Sequence, residues 1–217
     1  MRHLLLAAIL LATSAAAHAT TYTLEPAHSQ GIVRWNHLGF ANLSAQFSRI
    51  HGTLEFDAAD PGKSSVTATI ALANIATGVP DLDEDFVSSD FFDTSKYSTI
   101  TFKSTHVSVV DKSSKLRVNG DLDVHGTTRP VTLDVTINKI GTNPRNNLAT
   151  VGFEASTTLK RSDFDLGKYV PQVSDAVQIQ LSIEAAEAQG YVKHLADFEA
   201  ADAAALAHKC APAATAK

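Results

Sequence analysis

Gly120-Asp121-Leu122-Asp123-Val124-His125-Gly126-Thr127-Thr128-Arg129-Pro130-Val131-Thr132-Leu133 alternates apolar and polar side chains on both sides of a turn signal, His125-Gly126. Towards the amino terminus the apolar phase takes in Leu116 and Val118; towards the carboxyl terminus it takes in Val135 and Ile137. A period of two puts every second side chain on one face, the mark of a strand with one buried and one wet side. The stretch therefore reads as two amphipathic strands joined by a turn. The same period recurs in Gly31, Val33, Trp35 and His37, in Ile50, Gly52, Leu54 and Phe56, and in Val66, Ala68, Ile70 and Leu72. It returns in Ile100 and Phe102, in Val151, Phe153 and Ala155, and in Val177, Ile179, Leu181 and Ile183. Asp60-Pro61-Gly62, residues 111–114 and residues 142–147 are turn signals between these runs. About eight antiparallel strands must each hide one face and must also manage two sheet edges, and closure into an up-and-down barrel does both. Such a barrel is either filled by side chains or holds one small ligand. A two-sheet sandwich fits the same periodicity.

Two stretches break the alternation. Residues 80–93 begin with Pro80 and carry Asp81, Asp83, Glu84 and Asp85 in the first turn, with Leu82, Phe86 and Val87 along one side. A short helix with acids at its positive end fits that pattern. From about residue 184 the chain becomes alanine-rich, and Tyr191, Leu195 and Phe198 recur at helical spacing, so a helix is expected over 185–208. The division expected is a leader over 1–19, a barrel domain over 20–187 and a helical tail over 188–217.

The leader has the three parts of a secretory signal: the basic start Arg2-His3, an apolar run from Leu4 to Ala12, and the small-x-small cleavage site Ala17-His18-Ala19. Its apolar run falls short of the roughly 20 residues a bilayer-spanning helix needs. No later segment is apolar enough to span, so an exported protein without a transmembrane segment is expected. Of 217 residues, 44% are hydrophobic and 19% charged, which suits a folded chain rather than a disordered one. Removing Arg2 leaves 17 Lys and Arg against 23 Asp and Glu, a charge of −6. That balance argues against nucleic acid, whose phosphates call for a basic surface. Cys210 is the single cysteine, so no internal disulfide forms. In an oxidising compartment its thiol either joins two copies into a homodimer or is an idle surface group, and the idle reading is preferred.

The histidines are candidate ligands and bases. His28, His37, His51, His106 and His125 show no tight metal-ligand spacing, and no metal is expected. No Gly-x-Ser-x-Gly nucleophile elbow is present, and His28-Ser29 reads as a turn-forming or capping pair. Asp81, Asp83 and Asp85 match the first ligands of a calcium loop, but Phe86 stands where glycine is required and Phe92 where the bidentate glutamate belongs. Gly31, Gly52 and Gly120 sit in the apolar phase. They either mark bends and bulges or leave interior room for a long thin ligand.

Five segments, in order, resemble the YceI family of exported polyisoprenoid-binding, lipocalin-like proteins. They are His28-Ser29 with Trp35-Asn36-His37-Leu38-Gly39-Phe40; Gly52-Thr53-Leu54-Glu55-Phe56-Asp57 running into Asp60-Pro61; and Ser88-Ser89-Asp90-Phe91-Phe92-Asp93 with Lys96-Tyr97 and Ile100-Thr101-Phe102-Lys103. The fourth is the quoted Gly120–Leu133 stretch, and the fifth is Gly152-Phe153-Glu154-Ala155 with Arg161-Ser162-Asp163-Phe164 and Val173-Ser174-Asp175-Ala176-Val177. The resemblance covers about residues 22–187. It implies a lipocalin-like barrel with a long apolar pocket for an isoprenoid chain, a quinone tail or polyprenyl lipid, a periplasmic location, and no firmly attached catalysis. The chain departs from the family pattern where Leu82 and Asp85 replace a usual Arg and His, and also at Ala45, Ser98 and Asp165.

The expectation is therefore a periplasmic carrier for a polyisoprenoid or similar lipid, with neither catalytic residues nor a cofactor other than that ligand. Its pocket is expected to be lined by Val33, Trp35, Leu38, Phe40, Phe47, Leu54, Phe86, Phe91, Phe92, Ile100 and Phe102, with His37 and Tyr97 at a polar end. The rival readings are a lipid-directed hydrolase or isomerase using His28, His37 or His125 as base, and an interaction protein acting through its carboxyl-terminal helix.

Overall fold

The computed structural model describes residues 19–111 and 114–192. The expected leader up to residue 18 and the tail beyond residue 192, Cys210 included, lie outside the described residues. Among these, the chain forms β1 (Thr20–Leu24), β2 (Gln30–His37), β3 (Ala41–Ser48), β4 (His51–Phe56), β5 (Ser65–Ala71), β6 (Ile75–Ala76), α1 (Pro80–Val87), β7 (Thr99–Val109), β8 (Lys115–Val124), β9 (Thr127–Thr142), β10 (Ala149–Lys160) and β11 (Ala176–Glu187).

β1 and β2 are two halves of one bent strand. Both pair with β11, β1 through Leu24↔Ala185 and β2 through Gln30↔Ser182, and their hairpin partners β4 and β3 are likewise halves of one strand. β5 and β6 continue one another across a short 3-10 turn, Leu72–Asn74. With each bent strand counted once, the ring has eight antiparallel walls, and the pairing of β1 with β11 closes it. Closure settles the choice between barrel and sandwich, because a sandwich would leave β1 and β11 as separate edges.

The β8–β9 hairpin is built as its sequence indicates. His125 and Gly126 both adopt positive φ, 55° and 72°, the pair of left-handed residues whose twist matches the flanking strands. Leu116, Val118, Val124, Val131 and Val135 turn inward and are buried. Gly120 does not leave interior room. A Cβ there would meet the Phe102 ring at 2.4 Å and the Lys103 carbonyl at 2.6 Å, opposite a bulge in β7 between Ser104 and His106. Gly52 is similarly occupied, since its missing Cβ would fall 2.1 Å from the Thr67 carbonyl. Both glycines permit close approach between neighbouring strands, whereas Gly31 faces the barrel interior, where a Cβ would meet the Leu181 side chain at 2.8 Å.

Two expected helices have bounds other than their sequences suggest. α1 ends at Val87, where Ser88 turns extended and its Oγ donates to the Asp85 carbonyl at 2.6 Å. Its acidic start is fastened because the Thr77 N–H and Oγ1 both donate to Asp83 Oδ1 at 2.7 Å. In the other, β11 runs on to Glu187, so that helix begins at residue 188 rather than 185, and the described residues end within it at 192. Ala185 and Ala186 are completely buried in the closing seam, paired with β1 on one side and β10 on the other. The ladder overrides their helix propensity.

Candidate functional site: an apolar cavity along the barrel

A cavity of about 600 Å³ runs inside the barrel. That volume lies within the roughly 300–1,000 Å³ typical of small-molecule sites. Its walls come from alternate residues of nearly every strand, so the period that builds the sheet also builds the pocket. Val33 and Trp35 of β2, Ile100 and Phe102 of β7, Leu122 of β8 and Ile179 of β11 face the lumen and remain only partly buried. Inward-facing apolar side chains that still have accessible surface are the signature of a barrel its own side chains do not fill.

One end is narrowed by packing. Tyr22, Phe56 and Phe153 meet edge-to-face, with ring centroids 6.2 Å and 5.8 Å apart, inside a buried cluster that includes Leu24, Ile50, Leu54, Val118 and Val151. The other end is capped by α1 and the chain following it. Phe86 contacts Trp35 at 5.6 Å, Phe91 at 5.7 Å and Phe92 at 6.0 Å, and Phe92 reaches Phe47 at 6.3 Å. These aromatic rings are held between strand and helix without filling the lumen beneath them.

The segment 161–175 between β10 and β11 closes the same end, and Arg161 organises it. Its Nε donates to the Ser174 carbonyl at 2.9 Å, Nη1 to the Leu166 and Lys168 carbonyls, and Nη2 to those of Lys168 and Val173. Burial presses the guanidinium below its ordinary range, and the nearby Asp175 carboxylate opposes that effect. With its donors engaged by main-chain carbonyls, Arg161 holds the cap together and is not free to bind a ligand's head. Asp175 itself is held below the usual carboxylate range, chiefly because it accepts a 2.8 Å hydrogen bond from the Ser162 backbone N–H. A clasp joins the two capping segments: the Lys168 ammonium donates to the Asp90 carboxylate, and the Tyr169 ring meets Phe91 at 6.3 Å. Asp85, His37 and Lys168 are among the few polar side chains that line this end.

Ten of the residues expected to form the pocket line the cavity: Val33, Trp35, His37, Phe47, Leu54, Phe86, Phe91, Phe92, Ile100 and Phe102. Leu38, Phe40 and Tyr97 do not. Leu38, at φ 57°, and Gly39 carry the β2–β3 turn beyond the end of β2, and Leu38 and Phe40, at even positions out of phase with Val33 and Trp35, stay outside the lumen, Phe40 91% exposed on the rim. Tyr97 packs edge-on against His125 at 4.6 Å and lies over Gly126, bracing the β8–β9 turn from outside the cavity. Of the other candidate bases, His28 is bonded to Glu25 and His125 is packed on Tyr97. The contributions missed from sequence come mainly from β8–β11, among them Leu122, Leu133, Thr157 and Ile179, and from Leu82 and Asp85 on α1. Alternation marks the strand residues as inward-facing but cannot tell a packed wall from a cavity wall.

A closed eight-stranded barrel around an apolar cavity is a lipocalin-like architecture. The sequence pattern of the YceI-like domain matches residues 22–185, and the chain belongs to the YceI family. It is 32% identical over 179 residues to Protein YceI of Escherichia coli O157:H7, covering 82% of this chain and 92% of that protein. It is 34% identical over 170 residues to a UPF0312 protein of Ectopseudomonas mendocina, covering 77% and 88%. Among solved structures, BcnA of Burkholderia cenocepacia superposes with a TM-score of 0.65 at 25% identity, over 72% of this chain and 95% of BcnA. A polyisoprenoid binding domain from Saccharophagus degradans shares the fold, with a TM-score of 0.58 at 15% identity over 77% and 99%.

Proposed function

We propose that this protein is a periplasmic carrier that sequesters a polyisoprenoid or similar long apolar chain, such as a quinone tail, polyprenyl lipid or fatty acid, without transforming it. The observation that carries this reading is the cavity itself, an elongated apolar lumen left open by partly buried Val33, Trp35, Ile100 and Ile179. Each ligand methylene moved from water into such a lumen gains roughly 0.8 kcal/mol, so a few isoprene units bind without any ionic anchor. Membership of the YceI family supports the lipid class, and the leader read in residues 1–19 supports export. Among the described residues, no helix is long and apolar enough to cross a membrane.

Leu82 and Asp85, which replace the Arg and His usual in the family, both line the cavity beneath the cap. A carboxylate there ranks a neutral head group, such as a quinone ring or alcohol, above the anionic head of a fatty acid. The test is titration with a dansyl-labelled farnesyl chain, followed by extraction and analysis of the bound material. Saturable one-to-one binding, with the chain recovered unchanged, is expected. Absence of binding, or a converted product whose formation stops on His28→Ala, His37→Ala or His125→Ala, would overturn the carrier reading.

A further inference from the structure

On the outer face of the barrel, the seam between the first strand and β11 carries a feature the cavity does not use. Between Leu24↔Ala185 and Gln30↔Ser182 the first strand spends residues 25–29 against only residues 183 and 184 of β11. The excess rolls into a turn. The His28 N–H donates to the Glu25 carbonyl at 3.0 Å, the Glu25 N–H donates to the Glu184 carbonyl at 2.8 Å, and Ser29 Oγ donates to the same carbonyl at 3.2 Å. This turn brings Glu25 and His28 to Glu184, whose neighbours in the strand, Ile183 and Ala185, point to the interior. Each of the three side chains offers a ligand atom, and these atoms all lie within 4.8 Å of one another.

The hydrogen bonding inside the cluster is incomplete. His28 Nδ1 sits 2.8 Å from Glu25 Oε2, and Asn143 Nδ2 donates to Glu184 Oε1 at 3.3 Å. The Glu25 side chain is only 5% exposed, yet its Oε1 has no hydrogen-bond partner among the described residues. A buried carboxylate oxygen without a partner is costly, and two carboxylates against one imidazole leave negative charge over. A cation of suitable coordination chemistry meets both demands.

We infer that Glu25, His28 and Glu184 form a binding site for a first-row divalent cation of the zinc class. One imidazole nitrogen with carboxylate oxygens is a donor set for such ions, whereas calcium and magnesium prefer oxygen alone. Three protein ligands leave a fourth position to water, and Asn143 holds Glu184 as an outer partner. The bound ion takes the place of the proton shared between His28 and Glu25. It pins the bend of the first strand to the closing seam of the barrel, on the opposite side of the wall from the lipid. Binding at this site is therefore independent of whether the cavity is occupied.

The full-length protein, free of any affinity tag, is titrated with Zn²⁺ alone by calorimetry, and its melting temperature is followed with and without the ion. One-to-one binding at micromolar or tighter affinity and a raised melting temperature are expected. His28→Ala and Glu25→Gln each weaken binding by at least about tenfold, whereas His106→Ala on the opposite wall leaves it unchanged. Because the His28 side chain is 56% exposed, His28→Ala carries the test even if Glu25→Gln fails to fold. Absence of saturable binding at micromolar Zn²⁺, or wild-type affinity in His28→Ala, overturns the site.

Discussion

Replacing Ile179 with tryptophan fills the lumen from the middle of its wall. Ile179 lies opposite Val33 of β2 and Thr157 of β10, and all three line the cavity. Because Ile179 is only partly buried, the larger ring enters open space rather than a packed core. Tryptophan brings about six more heavy atoms, enough to exclude roughly four ligand methylenes at about 0.8 kcal/mol each. The expected loss is about 3 kcal/mol, or roughly two-hundredfold in affinity. The assay is displacement of a fluorescent isoprenoid, with circular dichroism and the melting temperature as controls for folding. Melting should stay close to wild type, since an apolar group added to an apolar void relieves exposure instead of creating strain. A folded Ile179→Trp protein that binds the chain as tightly as wild type would refute the placement of the ligand.

Gly120→Ala forces its new methyl into the Phe102 ring and the Lys103 carbonyl; overpacking of this kind costs about 1–3 kcal/mol, to be read from chemical denaturation. Arg161→Met removes the donors that the carbonyls of Leu166, Lys168, Val173 and Ser174 share. Stability should fall by about 2–3 kcal/mol, and bound lipid should dissociate faster in a stopped-flow measurement as the cap loosens. Asp175 is held low mainly by the Ser162 backbone N–H, with burial opposing. Its ionised form therefore stabilises the fold above its unfolded value of about 3.9, and that contribution is lost as pH falls through the lower folded value. Thermal melts of Asp175→Asn should lie below wild type at neutral pH and converge with it in strong acid.

The strands were legible because they rest on a one-dimensional pattern, which leaves barrel and sandwich open until β1 is seen to pair with β11. Alternation at Leu116–Val124 and Val131–Ile137 sorts side chains to two faces whatever the final curvature, and His125-Gly126 marks the turn between them. Residues whose role depends on where the phase ends were not legible. Leu38 and Phe40 are apolar neighbours of β2 but stand at even positions, out of phase with Val33, Trp35 and His37, and the left-handed turn at Leu38 and Gly39 leaves them on the rim. Ala185 and Ala186 carry helix propensity, and only their position between β1 and β10 makes them strand. Gly120 looks like spare room until Phe102 is seen lying against it. The role of Arg161 depends on a loop folded back around it, and the meeting of Glu25 and His28 with Glu184 depends on strand pairing across most of the chain. Neither arrangement leaves a local signal. The cavity falls between these cases, since its lining is periodic but its volume is set by how eight walls stand apart.

The central claim, that the lumen holds an apolar chain, is tested most directly by native mass spectrometry of the protein purified from the exported fraction of its own cell. The account predicts a non-covalent adduct that is released by organic solvent with the mass of an isoprenoid or comparable long-chain lipid, in a one-to-one complex. A protein that flies empty in every preparation, and takes up neither quinones nor fatty acids when offered them at micromolar concentration, would contradict it.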